Sequence, residues 1–204
     1  MIGKVRPQIF LAILVLGVLA IIGVREGMPE ILRSLGGGMG FNVIVAEAYT
    51  KDDTQVSSTA IRNALVRGDM ATAYQCLGRR YSLSGEVVHG MGRGGSVLGY
   101  PTANVAVDPN LTLPADGIYI TWIYVDHNRY PATTSIGVRP TFGIGERSVE
   151  AFILDFHGDV YKKKVRLEFV SRLRDEVSFE SVDALQKQIT VDVEDTRRAL
   201  DSRM

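Results

Sequence analysis

The chain has 204 residues with 23 basic and 23 acidic side chains, so its formal net charge at neutral pH is +0. Without an excess of positive charge there is no electrostatic field to attract nucleic acid, and we expect no nucleic-acid partner. A single cysteine, Cys76, and three scattered histidines exclude an internal disulfide framework and a recognisable pattern of zinc ligands.

Residues 9–24 form an unbroken run of apolar residues and glycine, with basic residues on both sides. As a helix this run spans about 24 Å, which is short of the ~30 Å hydrocarbon core of a bilayer unless flanking Arg6 and Arg25 reach toward the headgroups. Three interpretations stay open: a membrane anchor, a signal-like segment, or the irregular start of a truncated domain. We therefore predict a hydrophobic helical segment over 1–24, with a membrane as partner of residues 9–24 under the first interpretation.

The next part of the chain, residues 25–78, carries signals for short helices and one strand. Helix breakers and capping residues set the predicted bounds. The predicted elements are a helix over 29–35 ended by three glycines, a strand over 41–46, a helix capped by Ser57 or Ser58, and a helix over 70–77.

From Tyr81 onward, the helical spacing of apolar residues gives way to strand-like runs. Five strands are predicted, over 82–88, 118–125, 129–136, 149–156 and 161–170. Short strands separated by turn residues are typical of an antiparallel barrel or sandwich. After them, Ser181 caps a helix whose predicted apolar face consists of Val182, Leu185, Ile189 and Val193.

A glycine-rich stretch, His89–Asn104, lies between the first two of these strands and matches G-x-G-x-x-G over residues 90–95. Pro101 opposes the helix that a dinucleotide-binding site requires after this pattern. Two interpretations remain: a surface loop without a ligand, or a loop whose backbone N–H groups approach phosphate oxygens. Thr102 and Asn104, unless they only form a turn, supply hard oxygen ligands that suit Mg²⁺ and favour a nucleoside triphosphate site.

Five separated motifs together resemble those of a known family. They are GRGGSVLGYPTAN (92–104), PADGIY (114–119), SIGVRPTFG (135–143), RSVEAFILDF (147–156) and RLRDE with the following Phe, Ser and Leu (172–185). In this order and spacing they resemble the riboflavin kinases, most closely the kinase half of the bacterial bifunctional riboflavin kinase/FAD synthetases. The resemblance covers about residues 79–200.

The resemblance implies a mainly β fold: a six-stranded antiparallel Greek-key barrel with a C-terminal α-helix, here preceded by a short α/β remnant. It implies transfer of the ATP γ-phosphoryl group to the 5′-hydroxyl of riboflavin, giving FMN, with Mg²⁺ as cofactor and a domain that faces the cytoplasm. The implied domains are the hydrophobic segment 1–24, a remnant of an adenylyltransferase domain over 25–78, and a riboflavin kinase domain over 79–204.

The resemblance also implies roles for individual residues. Glu150 is implied as the general base, although the residue pattern alone favours a solvent-facing strand position for it. Arg174 and Phe179 lie in the region that lines the flavin pocket, and Phe179 alternatively packs in the barrel core. ATP binding is implied for Gly92, Arg93, Gly94, Gly95, Thr102 and Asn104, of which Thr102 and Asn104 also hold the metal.

A weaker resemblance joins residues 25–65 to the end of the adenylyltransferase half of the same enzymes. Ser57–Arg62 is similar to the nucleotide-binding element of that half, but in this chain a capped helix start is the preferred explanation. No histidine precedes His89, so the H-x-G-H element of that half is missing. We therefore expect no FMN adenylyltransferase activity. The alternatives to the kinase are a membrane-tethered flavin or nucleotide-binding module without activity, and a fragment of a bifunctional FAD synthetase.

Overall fold

The computed structural model describes residues 28–44, 50–51, 54–90, 99–138 and 147–201. The chain divides into two compact units, residues 1–48 and 49–204. The predicted hydrophobic helix over 1–24 lies outside the described residues, so the membrane anchor through 9–24 stays a prediction. Within the described ranges, no helix is both long and apolar enough to cross a bilayer.

In the first unit, helix α1 (Met28–Met39) is longer than predicted because the three glycines do not end it. The helix stops only where Gly40 adopts a φ of +73°. The chain then turns back, and the Phe41 N–H donates to the Gly36 carbonyl at 2.9 Å. Residues 41–44 consequently return along the helix, and the strand predicted from residue 41 is wrong over these residues.

The second unit begins with a two-stranded ladder, β1 (Thr50–Lys51) and β2 (Thr54–Gln55), and a helical hairpin. Helix α2 (Ser58–Val66) is capped by Ser57, whose hydroxyl accepts the Ala60 N–H at 3.1 Å. Helix α3 (Met70–Leu77) is capped by Asp69 and ends at Gly78. Both predicted helices are confirmed, and the residue that caps α2 is Ser57 and not Ser58.

Six antiparallel strands close into a barrel in the order β3-β4-β7-β6-β5-β8. The order β8-β5-β6-β7 within it, in which the last strand lies beside the first of a three-strand meander, is a Greek key. The strands are β3 (Ser82–Val88), β4 (Thr102–Val107), β5 (Gly117–Val125), β6 (Asn128–Val138), β7 (Arg147–Ile153) and β8 (Lys164–Arg174). The implied barrel is confirmed, and β4 is the strand that the residue pattern alone did not predict.

Helix α4 (Val182–Asp201) covers part of the outer wall of the barrel. Strand β5 is therefore buried on both faces, because Tyr119 and Ile123 point into the barrel while Ile120 and Trp122 pack with Leu200 of α4. The predicted apolar face of α4 is wrong at its start, where Val182 is 53% exposed. The buried residues of the helix are instead Asp192, Thr196 and Leu200.

Polar contacts explain this choice of helix face. Asp192 receives a bidentate pair of hydrogen bonds from Arg174 at the end of β8, and the Thr133 hydroxyl donates to Thr196 at 2.9 Å. A buried carboxylate must be paired and hydrogen-bonded, so the helix face that carries Asp192 lies against the end of β8.

The α2–α3 hairpin shares the hydrophobic core of the barrel. Ala64, Leu65, Met70 and Ala73 belong to the same buried cluster as Tyr119 and the other inward-facing barrel residues. The Ala115 N–H, just before β5, donates to the Leu65 carbonyl at 2.9 Å. The hairpin is thus packed into the kinase-like unit, while the origin of residues 25–78 in an adenylyltransferase domain stays a prediction.

Replacement of Leu65 by alanine tests the shared core. Leu65 is 1% exposed whereas its neighbour Val66 is 64% exposed. We expect Leu65→Ala to lower the free energy of unfolding of the barrel by about 2–5 kcal/mol and Val66→Ala to change it by less than about 0.5 kcal/mol, both measured by urea unfolding. Equal effects of the two substitutions would show that the hairpin does not contribute to the barrel core.

Candidate active site

A row of polar side chains crosses the outer wall of the barrel. Asn104 in β4 lies directly opposite Glu150 in β7, and Glu150 lies directly opposite Ser135 in β6. Strand alternation places the neighbours of these residues, among them Ala103 and Ala151, inside the barrel. The side chains of Asn104, Glu150 and Ser135 are therefore presented together on one partly exposed face.

The Glu150 carboxylate accepts hydrogen bonds from two hydroxyl groups on this face. Thr102 Oγ1 donates to Oε2 at 3.3 Å, and Ser148 Oγ lies 3.4 Å from Oε1. Thr102 belongs to β4 and Ser148 to the same strand as Glu150, so the carboxylate is held between the two strands. Bonds of this length help to orient the carboxylate on the outer wall.

The position of Asn104 depends on Gly90, the first glycine of the G-x-G-x-x-G match, to which the sequence gave no role in the site. A Cβ atom at Gly90, just after β3, would overlap the side-chain amide of Asn104. The absence of that atom lets the Asn104 amide lie directly against the backbone of the chain that enters the glycine-rich loop. Close approach of a side chain to a backbone is one of the situations that require glycine.

Thr102 and Asn104 fit the requirements of a magnesium ion. They stand two residues apart on the same face of β4, next to the Glu150 carboxylate, and carry a hydroxyl and an amide oxygen. Mg²⁺ takes oxygen ligands and commonly uses few protein groups, filling its other positions with water and substrate phosphates. Groups of three or more His, Cys, Asp and Glu residues that could hold a metal are absent from the described part of the chain.

The predicted phosphate-binding flap lies outside the described residues, since Gly92, Arg93, Gly94 and Gly95 fall in the segment 91–98. The chain that follows is attached to the barrel and to α4. The Tyr100 hydroxyl lies 2.9 Å from Thr190 Oγ1, and the Tyr100 ring packs edge-on against Phe152 with ring centres 5.1 Å apart. Tyr100 therefore fixes the chain immediately before Thr102 on the same outer wall.

The residues implied in flavin binding lie near one another at the end of β8. The Arg174 guanidinium is 5.9 Å from the centre of the Phe179 ring, and Phe179 is partly exposed. Arg174 also donates to Asp192 Oδ1 at 2.9 Å and Oδ2 at 2.6 Å, and to the Asp175 carbonyl. The guanidinium is thus a structural link to α4, and its contact with a flavin stays a prediction.

Glu176 is a further acidic residue beside the polar row, and the sequence pattern gave it no role. Ser135 Oγ donates to Glu176 Oε1 at 3.3 Å. Because Ser135 is the cross-strand neighbour of Glu150, the chain after β8 is folded over the wall that carries the polar row. Only the position of Glu176 within the RLRDE motif could have pointed to it.

Sequence and structure comparisons relate the chain to known proteins. A family model described as "Flavokinase: Riboflavin kinase" matches residues 77–200. The bifunctional riboflavin kinase/FMN adenylyltransferase of Pseudomonas fluorescens is 38% identical over 170 residues, covering 83% of this chain and 54% of that protein. The protein of the same name from Bacillus subtilis (strain 168) is 33% identical over 179 residues, covering 86% and 55%.

The chain thus spans about half the length of the curated relatives that it matches. A crystal structure described as a macrolide-efflux protein from Streptococcus pneumoniae is similar with a TM-score of 0.72 and 36% sequence identity. The similarity covers 80% of this chain and 53% of the pneumococcal one.

The contact between Gly90 and Asn104 predicts a coupled pair of substitutions. We expect Gly90→Ala to lower the free energy of unfolding by about 1–3 kcal/mol, because the new methyl group displaces the Asn104 amide. In an Asn104→Ala background the same substitution should cost at least about 0.5 kcal/mol less, since the shorter side chain leaves room. Denaturant unfolding of the four proteins measures this coupling, and an equal cost in both backgrounds would contradict the contact.

Proposed function

Because the chain belongs to the riboflavin kinase family, we propose that it transfers the γ-phosphoryl group of ATP to the 5′-hydroxyl of riboflavin and so forms FMN. The observation that supports the proposal most is the register of β4 and β7. It sets Asn104 opposite Glu150 and joins Thr102 to the Glu150 carboxylate by a hydrogen bond.

Phosphoryl transfer requires that the two substrates be aligned and that negative charge be neutralised. In the proposed reaction the 5′-oxygen of riboflavin forms a bond to the γ-phosphorus while the bond from that phosphorus to the departing ADP oxygen breaks. The proton of the 5′-hydroxyl passes to the Glu150 carboxylate, which acts as general base. Glu150 is partly exposed, so a substrate hydroxyl can reach it.

Thr102 Oγ1 and Asn104 Oδ1 would hold Mg²⁺ in this proposal. When bound, the cation supplies positive charge to the phosphate oxygens. The chain's own contribution is the placement of both ligands on one strand beside the base, at a distance set by backbone hydrogen bonds. Gly92, Arg93, Gly94 and Gly95 would cover the phosphates from the neighbouring loop.

The flavin would lie toward the end of β8, where Arg174 and Phe179 stand close together. An aromatic ring such as Phe179 offers a flat apolar surface against which a flavin ring can pack. The Arg174 guanidinium would border the flavin in a fixed orientation, because it donates two hydrogen bonds to the Asp192 carboxylate.

The proposal is tested by incubating the protein with riboflavin, ATP and Mg²⁺ and separating flavins by chromatography. We expect FMN from the unaltered chain and a loss of at least about 100-fold in kcat for Glu150→Gln, because the amide cannot accept the proton. Glu86→Gln is the matched control, since Glu86 is an exposed glutamate on β3, which is separated from β7 by β4. Its rate should stay within about twofold of that of the unaltered chain.

Two outcomes would overturn parts of this proposal. A folded protein that binds riboflavin and yields no FMN would favour the binding module without activity. Formation of FAD from FMN and ATP would contradict the expected lack of adenylyltransferase activity, which the same chromatogram resolves.

A further inference from the structure

Arg172 occupies an unusual place at the end of β8. It lies opposite Tyr119, which is wholly buried in the barrel, and the register of β8 against β5 is irregular at this pair. An irregularity of this kind changes the direction in which side chains point, compared with their direction in a regular β-ladder. The Arg172 side chain consequently extends along the end of the barrel that the α2–α3 hairpin covers.

Two glycines leave room for this side chain. Gly68, in the turn between α2 and α3, has a φ of +72°, and a Cβ there would lie 2.7 Å from Arg172 Cδ and 3.1 Å from the Tyr119 hydroxyl. On the other side, a Cβ at Gly117 would lie 2.9 Å from Arg172 Nε. The stem of Arg172 is therefore enclosed between the helical hairpin and the start of β5.

The guanidinium of Arg172 extends from this slot toward the chain that follows β8. Its Nη2 donates to the Asp116 carbonyl, and its Nη1 lies 2.8 Å from Asp175 Oδ1. Burial raises the pKa of the Tyr119 hydroxyl, and the adjacent Arg172 charge offsets part of that rise. A second arginine, Arg147 at the start of β7, donates to the Asp116 carboxylate at 2.6 Å.

These contacts connect the hairpin to the flavin side of the site. Asp175 is bound by Arg172, and the next residue, Glu176, accepts a hydrogen bond from Ser135 beside Glu150. The ion pair with Asp175 is exposed and weak on its own. The enclosed stem of Arg172 and its bond to the Asp116 carbonyl supply the rigid part of the connection.

We propose that Arg172 is a positioning residue that fixes the segment 175–179 on the flavin side of the site, and that Gly68 of the helical hairpin keeps Arg172 in place. The inference rests on the proposed kinase function. It gives the α2–α3 hairpin an indirect role in riboflavin binding, although this hairpin precedes every motif that carries the family resemblance over residues 79–200.

Steady-state kinetics with both substrates tests Arg172 first. We expect Arg172→Met to raise the KM for riboflavin about tenfold while the KM for ATP stays within about twofold, because only the flavin side loses its alignment. Arg172→Lys, which keeps a charge for Asp175, should restore part of the affinity. An unchanged KM for riboflavin in Arg172→Met, or an equal rise for both substrates, would overturn the inference.

Two glycine variants separate positioning from general instability. Gly68→Ala and Gly78→Ala both place alanine at a positive φ, of +72° and +67°, but only Gly68 has Arg172 within 4 Å of the added methyl group. We expect both to lower the melting temperature and only Gly68→Ala to raise the KM for riboflavin. A similar rise in Gly78→Ala would overturn the role of Gly68. If Gly68→Ala does not fold, the Arg172 variants decide.

If the unaltered chain forms no FMN, the proposed kinase function fails, and this result is distinct from a failure of the inference about Arg172. In that case the riboflavin dissociation constants of the same variants, measured by quenching of flavin fluorescence, replace KM. Equal constants for the unaltered chain and Arg172→Met would overturn the inference. An unaltered chain that does not bind riboflavin would overturn both.

Discussion

The register of β4 against β7 is the constraint on which the site depends. Side chains alternate between the two faces of a strand, so a shift of one residue would turn Asn104 and Glu150 into the barrel. The same shift would bring Ala103 and Ala151 to the outer wall. The present register keeps the alanines inside, where they are buried, and puts an amide, a hydroxyl and a carboxylate side by side outside. Packing of the barrel interior thereby determines the geometry of the proposed chemistry.

Two helical elements complete this arrangement at different places on the barrel. The C-terminal helix α4 is attached through Asp192 to Arg174 and through Thr190 to Tyr100, so it connects the chain after β8 with the chain before β4. The α2–α3 hairpin shares the core at the end where Arg172 lies. The barrel supplies the register of β4 and β7, and α4 holds the end of β8 and the chain before β4 in place beside the polar row.

Much of the barrel was predictable because its strands carry strong local signals. The run IYITWIYV in β5 has no helix breaker and is buried on both faces, and the β5–β6 turn at Asp126 and His127 is short enough to indicate a hairpin. Strand β4 was missed in the residue pattern because its six residues follow Gly-Tyr-Pro, whose signal for a turn dominates the local pattern. The motif resemblance recovered the sixth strand where local patterning did not.

The contacts that define the site were less predictable, since they join residues far apart in the chain. Thr102 stood out by residue type and motif and Glu150 by the motif resemblance alone, whereas the contact between Gly90 and Asn104 is visible only in the structure. The packing face of α4 was misjudged at Val182 because apolar spacing carries no information about the buried Arg174–Asp192 pair. The residues of α4 that are buried are Asp192, Thr196 and Leu200, two of which are polar.

The proposed arrangement of Thr102, Asn104 and Glu150 can be tested by a crystal structure of the chain with ADP, Mg²⁺ and riboflavin. We expect Mg²⁺ bound to Thr102 Oγ1 and Asn104 Oδ1, with the riboflavin 5′-hydroxyl about 2.6–3.2 Å from the Glu150 carboxylate. A cation held by other residues, or a 5′-hydroxyl on a different face of the barrel from Glu150, would contradict this arrangement.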